Sequence, residues 1–189
     1  MKSVSISGSP RENVGKRDAN EKRNEGLIPC VLYGGKAQKH FLVDVKQFTK
    51  LLYTPEVFYA ELNIDGSQYT AIVQETQFHP VTDKLLHVDF LEVTDSKPVT
   101  IEIPMLITGN SPGVMRGGKL SKRVRKLKVK GLLKDIPENI TIDISGLDIL
   151  DTVEIKDIPV SNITIVDNPN KVVVTILSSR NVEEAAKAE

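Results

Sequence analysis

Val57-Phe58-Tyr59-Ala60-Glu61-Leu62-Asn63-Ile64, then Asp65-Gly66, then Ser67-Gln68-Tyr69-Thr70-Ala71-Ile72-Val73-Gln74-Glu75, is the stretch that decides the fold class. Two runs rich in β-branched and aromatic residues flank a two-residue turn, where glycine accepts the positive φ that a tight hairpin demands. The pattern repeats on either side. Residues 3–7, 30–33 and 38–43 precede it and residues 85–93 follow, each a short apolar or alternating run bounded by Gly, Pro, Asn or Asp. Helical periodicity is weak. It supports a short helix over 17–24, closed by Gly26, and another over 44–53 with Val45, Phe48 and Leu52 on one face.

Beyond the polar connector Thr94-Asp95-Ser96-Lys97-Pro98 a second series of strands begins, over 99–108, 125–130, 140–143, 153–155 and 171–177. Its turns are written in Gly109-Asn110-Ser111-Pro112-Gly113 and Arg116-Gly117-Gly118. The chain is therefore expected to be mainly β. One domain is expected over 1–94 and a C-terminal all-β domain over 95–178. A charged tail over 179–189 suits a frayed helix or disorder.

With 40% apolar and 26% charged residues among 189, the chain can bury a sizeable core. Its 25 basic and 25 acidic side chains cancel, yet the neutrality is a sum of opposed regions. Residues 1–50 carry ten Lys/Arg against five Asp/Glu, residues 116–134 carry nine bases and no acid, and from Asp135 onward eleven acids face four bases. Partners are thus selected by face rather than by net charge. Cys30 is the one cysteine, which excludes an internal disulfide framework and fits a reducing compartment. The N-terminus lacks the apolar core of a signal peptide, and no run approaches the roughly 20 apolar residues that span a bilayer as a helix. A soluble, cytoplasmic protein is expected.

An enzyme would have to be built from His40, His79 and His87 with Glu75, Asp83 and Asp89. In Leu85-Leu86-His87-Val88-Asp89-Phe90, strand alternation puts His87 and Asp89 on one face and Leu86, Val88 and Phe90 on the other. Such a pair fits a hydrolytic dyad, but no serine or cysteine nucleophile stands in a diagnostic setting, so a hydrogen-bonded surface pair is the simpler reading. No metal is expected, since the histidines lack compact ligand spacing. Nor is a cofactor: Gly34-Gly35-Lys36 and Gly117-Gly118-Lys119 complete neither a Walker nor a dinucleotide fingerprint.

Nucleic-acid binding uses more of the sequence at once. Arg11, Lys16, Arg17, Lys22 and Arg23, interrupted by Glu12, Asp18, Glu21 and Glu25, lead into Ile28-Pro29-Cys30-Val31-Leu32-Tyr33-Gly34-Gly35, so cations precede an aromatic residue and two glycines. In the second half, Lys126-Leu127-Lys128-Val129-Lys130 alternates, burying Leu127 and Val129 while Lys126, Lys128 and Lys130 face phosphates. An edge strand guarded by lysines is the competing explanation.

Arg11-Glu12 with Gly15-Lys16, Arg23-Asn24-Glu25-Gly26, residues 29–35, Gln77-Phe78-His79-Pro80 and Leu86-His87-Val88-Asp89-Phe90 together resemble, in order and spacing, the bacterial large-subunit ribosomal proteins that bind 5S rRNA. The likeness is to the two-domain general stress protein Ctc family in particular. It extends to residues 99–177 through Pro112-Gly113-Val114, Gly117-Gly118 and Ile136-Pro137. The resemblance implies an N-terminal rRNA-binding β-barrel with short helices, followed by an added β domain. It implies Arg11, Lys16 and Arg23 as phosphate contacts, Tyr33 and Gln74 at the RNA face, and His87 with Asp89 as partners of ribose or base edges. The expected function is structural: a ribosomal constituent that binds 5S rRNA, meets the large subunit and its neighbouring proteins, avoids membranes and is monomeric off the ribosome. Two rivals stand beside it, a protein-interaction module with an incidental basic face and a hydrolase using His87 and Asp89.

Overall fold

The computed structural model describes residues 1–35, 37–94, 97–160 and 162–178. Two compact units divide the chain, Met1–Val99 and Thr100–Glu189. The tail expected over 179–189 lies outside the described residues, as do Asp95 and Ser96 of the connector.

In the first unit, β1 (Lys2–Pro10), β2 (Leu27–Tyr33), β3 (Lys39–Asp44), β4 (Phe58–Ile64), β5 (Ser67–Phe78) and β6 (Leu85–Glu92) close into a barrel, in the order β1-β3-β2-β6-β5-β4. β1 makes the closure. Lys2 to Gly8 run parallel to β4, and Ser9 and Pro10 then pair antiparallel with β3, so the barrel keeps no open edge. The β4–β5 hairpin turns at Asp65 and Gly66, whose φ angles of 50° and 77° are both positive, as a type I′ turn requires.

Alternation sends Ile6, Cys30, Leu32, Phe41, Leu62, Val88 and Phe90 inward, each at most 1% exposed. The Phe90 ring meets Phe41 and Phe48 at centroid distances of 5.8 and 6.4 Å. Edge-tilted and offset ring pairs of this kind add to the area they bury.

The segment expected as one helix over 44–53 is a 3₁₀ turn, Val45–Phe48, followed by one α-turn, α2 (Thr49–Leu52). The Asp44 carboxylate starts it by accepting from the Lys46 N–H at 2.9 Å. Phe48 and Leu51 are buried and Leu52 packs partly buried against the core, while Val45, expected on the same face, is 38% exposed. The other expected helix is α1 (Lys16–Asn24), which packs against β2 and buries Ala19.

The second unit has two sheets. β7 (Val99–Thr108), β9 (Lys126–Gly131), β10 (Ile140–Asp143) and β12 (Thr164–Ile165) form one, in the order β10-β7-β9-β12, and β11 (Thr152–Glu154), β13 (Val172–Leu177) and β8 (Lys119–Lys122) form the other, with β13 central. Between β7 and β8, α3 (Pro112–Met115) is capped by Ser111, whose Oγ accepts from the Val114 N–H and donates to the Leu147 carbonyl at 2.5 Å. β8, β12 and α3 are too short for a periodic pattern to announce. β9 corrects the edge-strand reading, since it lies between β7 and β12.

Candidate nucleic-acid interface

Strand register assembles a polar row on the outside of the barrel. His40 on β3 pairs with Val31 on β2, Val31 with Asp89 on β6, and Asp89 with Glu75 on β5. One step along, His87 pairs with Gln77. Pairing partners share a face, so four strands bring His40, Asp89, Glu75, His87 and Gln77 to one surface. The His87 Nδ1 lies 2.6 Å from the Asp89 Oδ1, both side chains being about a quarter exposed at 26% and 25%. With Nδ1 engaged, Nε2 is the nitrogen His87 turns to an incoming partner.

Tyr33 ends β2 beside this row. Partial burial, and then the carboxylates of Asp89 and Glu75, push its phenol upward, so the hydroxyl stays protonated and can donate a hydrogen bond. The chain then turns at Gly34, where φ is 94° and a Cβ would come within 2.6 Å of the Leu91 side chain. A residue other than glycine would be strained there and would also press on β6.

Two irregularities in the β5–β6 ladder shape the face. Val73 pairs with Phe90 and Glu75 with Asp89, so Gln74 is the extra residue of a bulge and stands exposed. At the other end Gln77 pairs with His87 and Phe78 with Leu85, which makes Leu86 the extra residue. This corrects the simple alternation expected of β6: Leu85, at 4% exposure, takes the inward place and Leu86 is only half-buried. The slip is used. The Leu86 carbonyl accepts from the Arg23 Nε at 3.0 Å, and the Arg23 Nη1 donates to the Asn20 Oδ1 at 3.0 Å, so α1 is tied to the strand that carries His87.

The loop before α1 is organised by Arg11. Its backbone N–H donates to the His40 carbonyl at 3.0 Å, its Nε and Nη2 lie 2.8 and 2.7 Å from the Asp18 carboxylate, and Nη2 donates to the Gly15 carbonyl at 3.2 Å. The Arg11 side chain is only 8% exposed. Its guanidinium thus holds the loop against the helix, while Lys16 and Arg17 remain exposed around a shallow depression lined by residues 13–18 and Glu21. Two of the residues considered for chemistry are occupied elsewhere. The Nδ1 of His79 accepts from the N–H groups of Val81 and Thr82 at 3.3 and 3.2 Å, closing the β5–β6 turn. Cys30 faces the core at 1% exposure, where burial, with Asp89 adding to it, pushes the thiol well up.

Against known proteins, residues 6–90 match the Ribosomal L25p family and residues 98–180 match the family described as Ribosomal protein TL5, C-terminal domain. The protein named Large ribosomal subunit protein bL25 from Porphyromonas gingivalis is 44% identical over 188 residues, covering 98% of both chains. That from Cytophaga hutchinsonii is 44% identical over 191 residues and covers all of both. The Bacteroides fragilis protein of the same name is 38% identical over 193 residues, covering 100% of this chain and 98% of its own. The chain belongs to the bL25 family.

Within this bL25-family chain the sequence-derived residues fall into two groups. Tyr33, Gln74, His87 and Asp89 lie on or beside one barrel face, with Arg23 anchored to β6 and Arg11 and Lys16 in the loop and helix leading to it. Lys126, Lys128 and Lys130 lie in the other unit, exposed on β9 above Leu127 and Val129, which are fully buried. Gln77 joins the barrel face only through its pairing with His87, and Glu75 through its pairing with Asp89, which no spacing along the chain reveals.

Proposed function

We propose that this chain binds 5S rRNA through the outer face of its barrel, as a structural constituent of the large ribosomal subunit. By its membership of the bL25 family the chain is a ribosomal protein with an rRNA-binding role and not an enzyme. The His87–Asp89 pair is then a recognition element. The observation that supports the finer reading most is the assembly of Tyr33, His87, Asp89 and Gln74 on one face flanked by the cations of α1.

The physics of RNA fits that face. A-form helices present 2′-hydroxyls and base edges in a wide, shallow minor groove, which is read by hydrogen bonds rather than by inserting a helix. His87, fixed by Asp89, supplies Nε2; Tyr33 supplies a hydroxyl; Gln74, pushed out by its bulge, supplies both a donor and an acceptor. Two carboxylates, Glu75 and Asp89, sit among them, so phosphates belong at the margin, where Lys16 and Arg23 serve. Arg11 contributes by ordering the loop that presents Lys16, its own guanidinium being held by the Asp18 carboxylate. Lys126, Lys128 and Lys130 add backbone contacts from the second unit, and the ribosomal site places the protein in the cytoplasm.

Gel-shift titration against 5S rRNA at two salt concentrations tests this. Lys16→Ala is expected to weaken binding and flatten the salt dependence, and His87→Ala to reduce discrimination against unrelated duplexes. Unchanged titrations for both variants would sink the assignment.

A further inference from the structure

All five phenylalanines, four tyrosines and three histidines precede Thr100, the first residue of the second unit. That unit has no ring to stack on an unpaired base, which is how proteins grip single strands. It has instead a sheet face set with ammonium groups. On β9 the side chains of Lys126, Lys128 and Lys130 are exposed, and same-face residues of a strand recur every ~6.7 Å. Three charges in a line at that pitch suit a run of backbone phosphates.

The alternative reasons for those lysines fail one by one. They do not guard a sheet edge, because β9 is flanked by β7 and β12. They are not neutralised by neighbours: Glu102 lies 3.9 Å from Lys128, with both side chains more than half exposed at 53% and 57%, and Lys126 and Lys130 have no acidic partner among the described residues. The Asp167 carboxylate is taken by the Lys128 backbone N–H at 2.8 Å. Beside the row, Thr164 pairs with Lys130, and the Val166 N–H donates to the Lys128 carbonyl at 2.8 Å. On the far strands Thr141 pairs with Leu106. The β9 row is therefore cationic, with hydroxyls at its margins, the carboxylates of Glu102 on β7 and Asp143 on β10, and a rigid apolar floor, since Leu127 and Val129 are 0% exposed.

We propose that this face docks on the backbone of double-stranded RNA without reading its sequence. The proposal rests on the ribosomal reading for the choice of RNA as occupant and goes beyond it in the mode of contact. The row Lys126, Lys128 and Lys130 carries no arginine, whose bidentate fork recognises guanine, and its lysines act as point charges on phosphate. Threonine hydroxyls meet phosphate or ribose, which every sequence offers. Stacking has no part in it.

The test uses the full chain and two RNA duplexes of about 20 base pairs, long enough to span a double-strand-binding surface, with unrelated sequences and no 5S rRNA segment. Poly(U) serves as the single strand and 5S rRNA as the reference. Replacing all three residues with Gln (Lys126→Gln, Lys128→Gln, Lys130→Gln) is expected to weaken both duplexes alike, by about tenfold or more at low salt, and to reduce the log–log salt slope by about 2–3. The corresponding Arg triple should bind within about twofold of the parent, as charge alone is required. A triple of equal charge change on the first unit, Lys46→Gln, Lys50→Gln and Lys97→Gln, should cost less than about threefold, and poly(U) should bind more weakly than either duplex. Duplex binding unchanged in the β9 Gln triple, an equal loss in the first-unit triple, or a preference for poly(U) would each overturn the proposal. Absence of 5S rRNA binding by the parent chain would instead remove the barrel reading, while the duplex comparison would still decide this one.

Discussion

On the barrel, His87 is held by Asp89 at 2.6 Å and Arg23 is tied to the Leu86 carbonyl at 3.0 Å, whereas on the second unit Lys126 and Lys130 stand exposed with no acidic partner among the described residues. The first arrangement fixes donors and acceptors before a partner arrives. Little side-chain entropy is then lost on binding, and a partner with mismatched groups leaves them unsatisfied, so such a face discriminates. The second keeps long, mobile cations that meet any phosphate, which gives affinity with little selectivity. On the proposed reading, one chain separates two tasks that nucleic-acid proteins often combine on one surface.

The largest effect that can break this contrast lies in the two cores. Phe90→Ala removes the ring shared by Phe41 and Phe48 and should destabilise the barrel by about 3–5 kcal/mol. Every tyrosine belongs to the first unit, so urea unfolding followed by tyrosine emission reports the barrel alone. Leu127→Ala in the second unit should cost about 2–5 kcal/mol there and leave the tyrosine midpoint in place. A tyrosine midpoint that moves with Leu127→Ala would show that the units unfold together, and separate treatment of their faces would lose its ground.

Next in size are the RNA contacts. His87→Ala should cost about 1–3 kcal/mol of 5S rRNA affinity with the salt slope unchanged, since the contact proposed for it is to ribose or a base edge and not to phosphate. Lys16→Ala should do the reverse: a smaller loss, uniform across sequences, with the slope reduced by about 1. Filter-binding isotherms at several salt concentrations separate the two. If both variants changed the slope equally, the barrel face would be binding by charge, as is proposed for the second unit, and the contrast would collapse.

How much of this was legible in the residues differs between fold and face. The β4–β5 hairpin was readable because Asp65-Gly66 admits the positive φ angles found there, and His87 and Asp89 were placed together because alternation survives between them. It fails one residue earlier. Leu86 looks like a core position, and only the slip in pairing opposite Phe78 turns it aside and frees the carbonyl that Arg23 uses. Arg11 is a similar case: a cation in a polar loop reads as a phosphate contact, yet the Asp18 carboxylate seven residues on covers most of it. Local rules see neither event, because bulge placement and loop folding are set by contacts between distant segments. β12 and α3, at two and four residues, are shorter than any period.

The smallest effect is absent at neutral pH and grows only in alkali, where it again divides the units. Cys30 is buried in the barrel, and desolvation raises its thiol above the ordinary value of 9.0. A raised folded-state value means the folded chain holds this proton more tightly than the unfolded one. The associated stability is complete below 9.0 and is lost as pH climbs above it, by about 1.4 kcal/mol per pH unit, because only the unfolded thiol releases its proton. Tyr33, raised for the same reason, adds to the loss at higher pH. The second unit contains no cysteine, tyrosine or histidine, so between pH 9 and 10 its transition should hold while the tyrosine-reported transition falls. Cys30→Ala lowers barrel stability at every pH through the atoms it removes, but its unfolding free energy should lose the steep decline just above pH 9. A decline that persists unchanged in Cys30→Ala would assign the alkaline sensitivity to other groups and leave the thiol without a part in it.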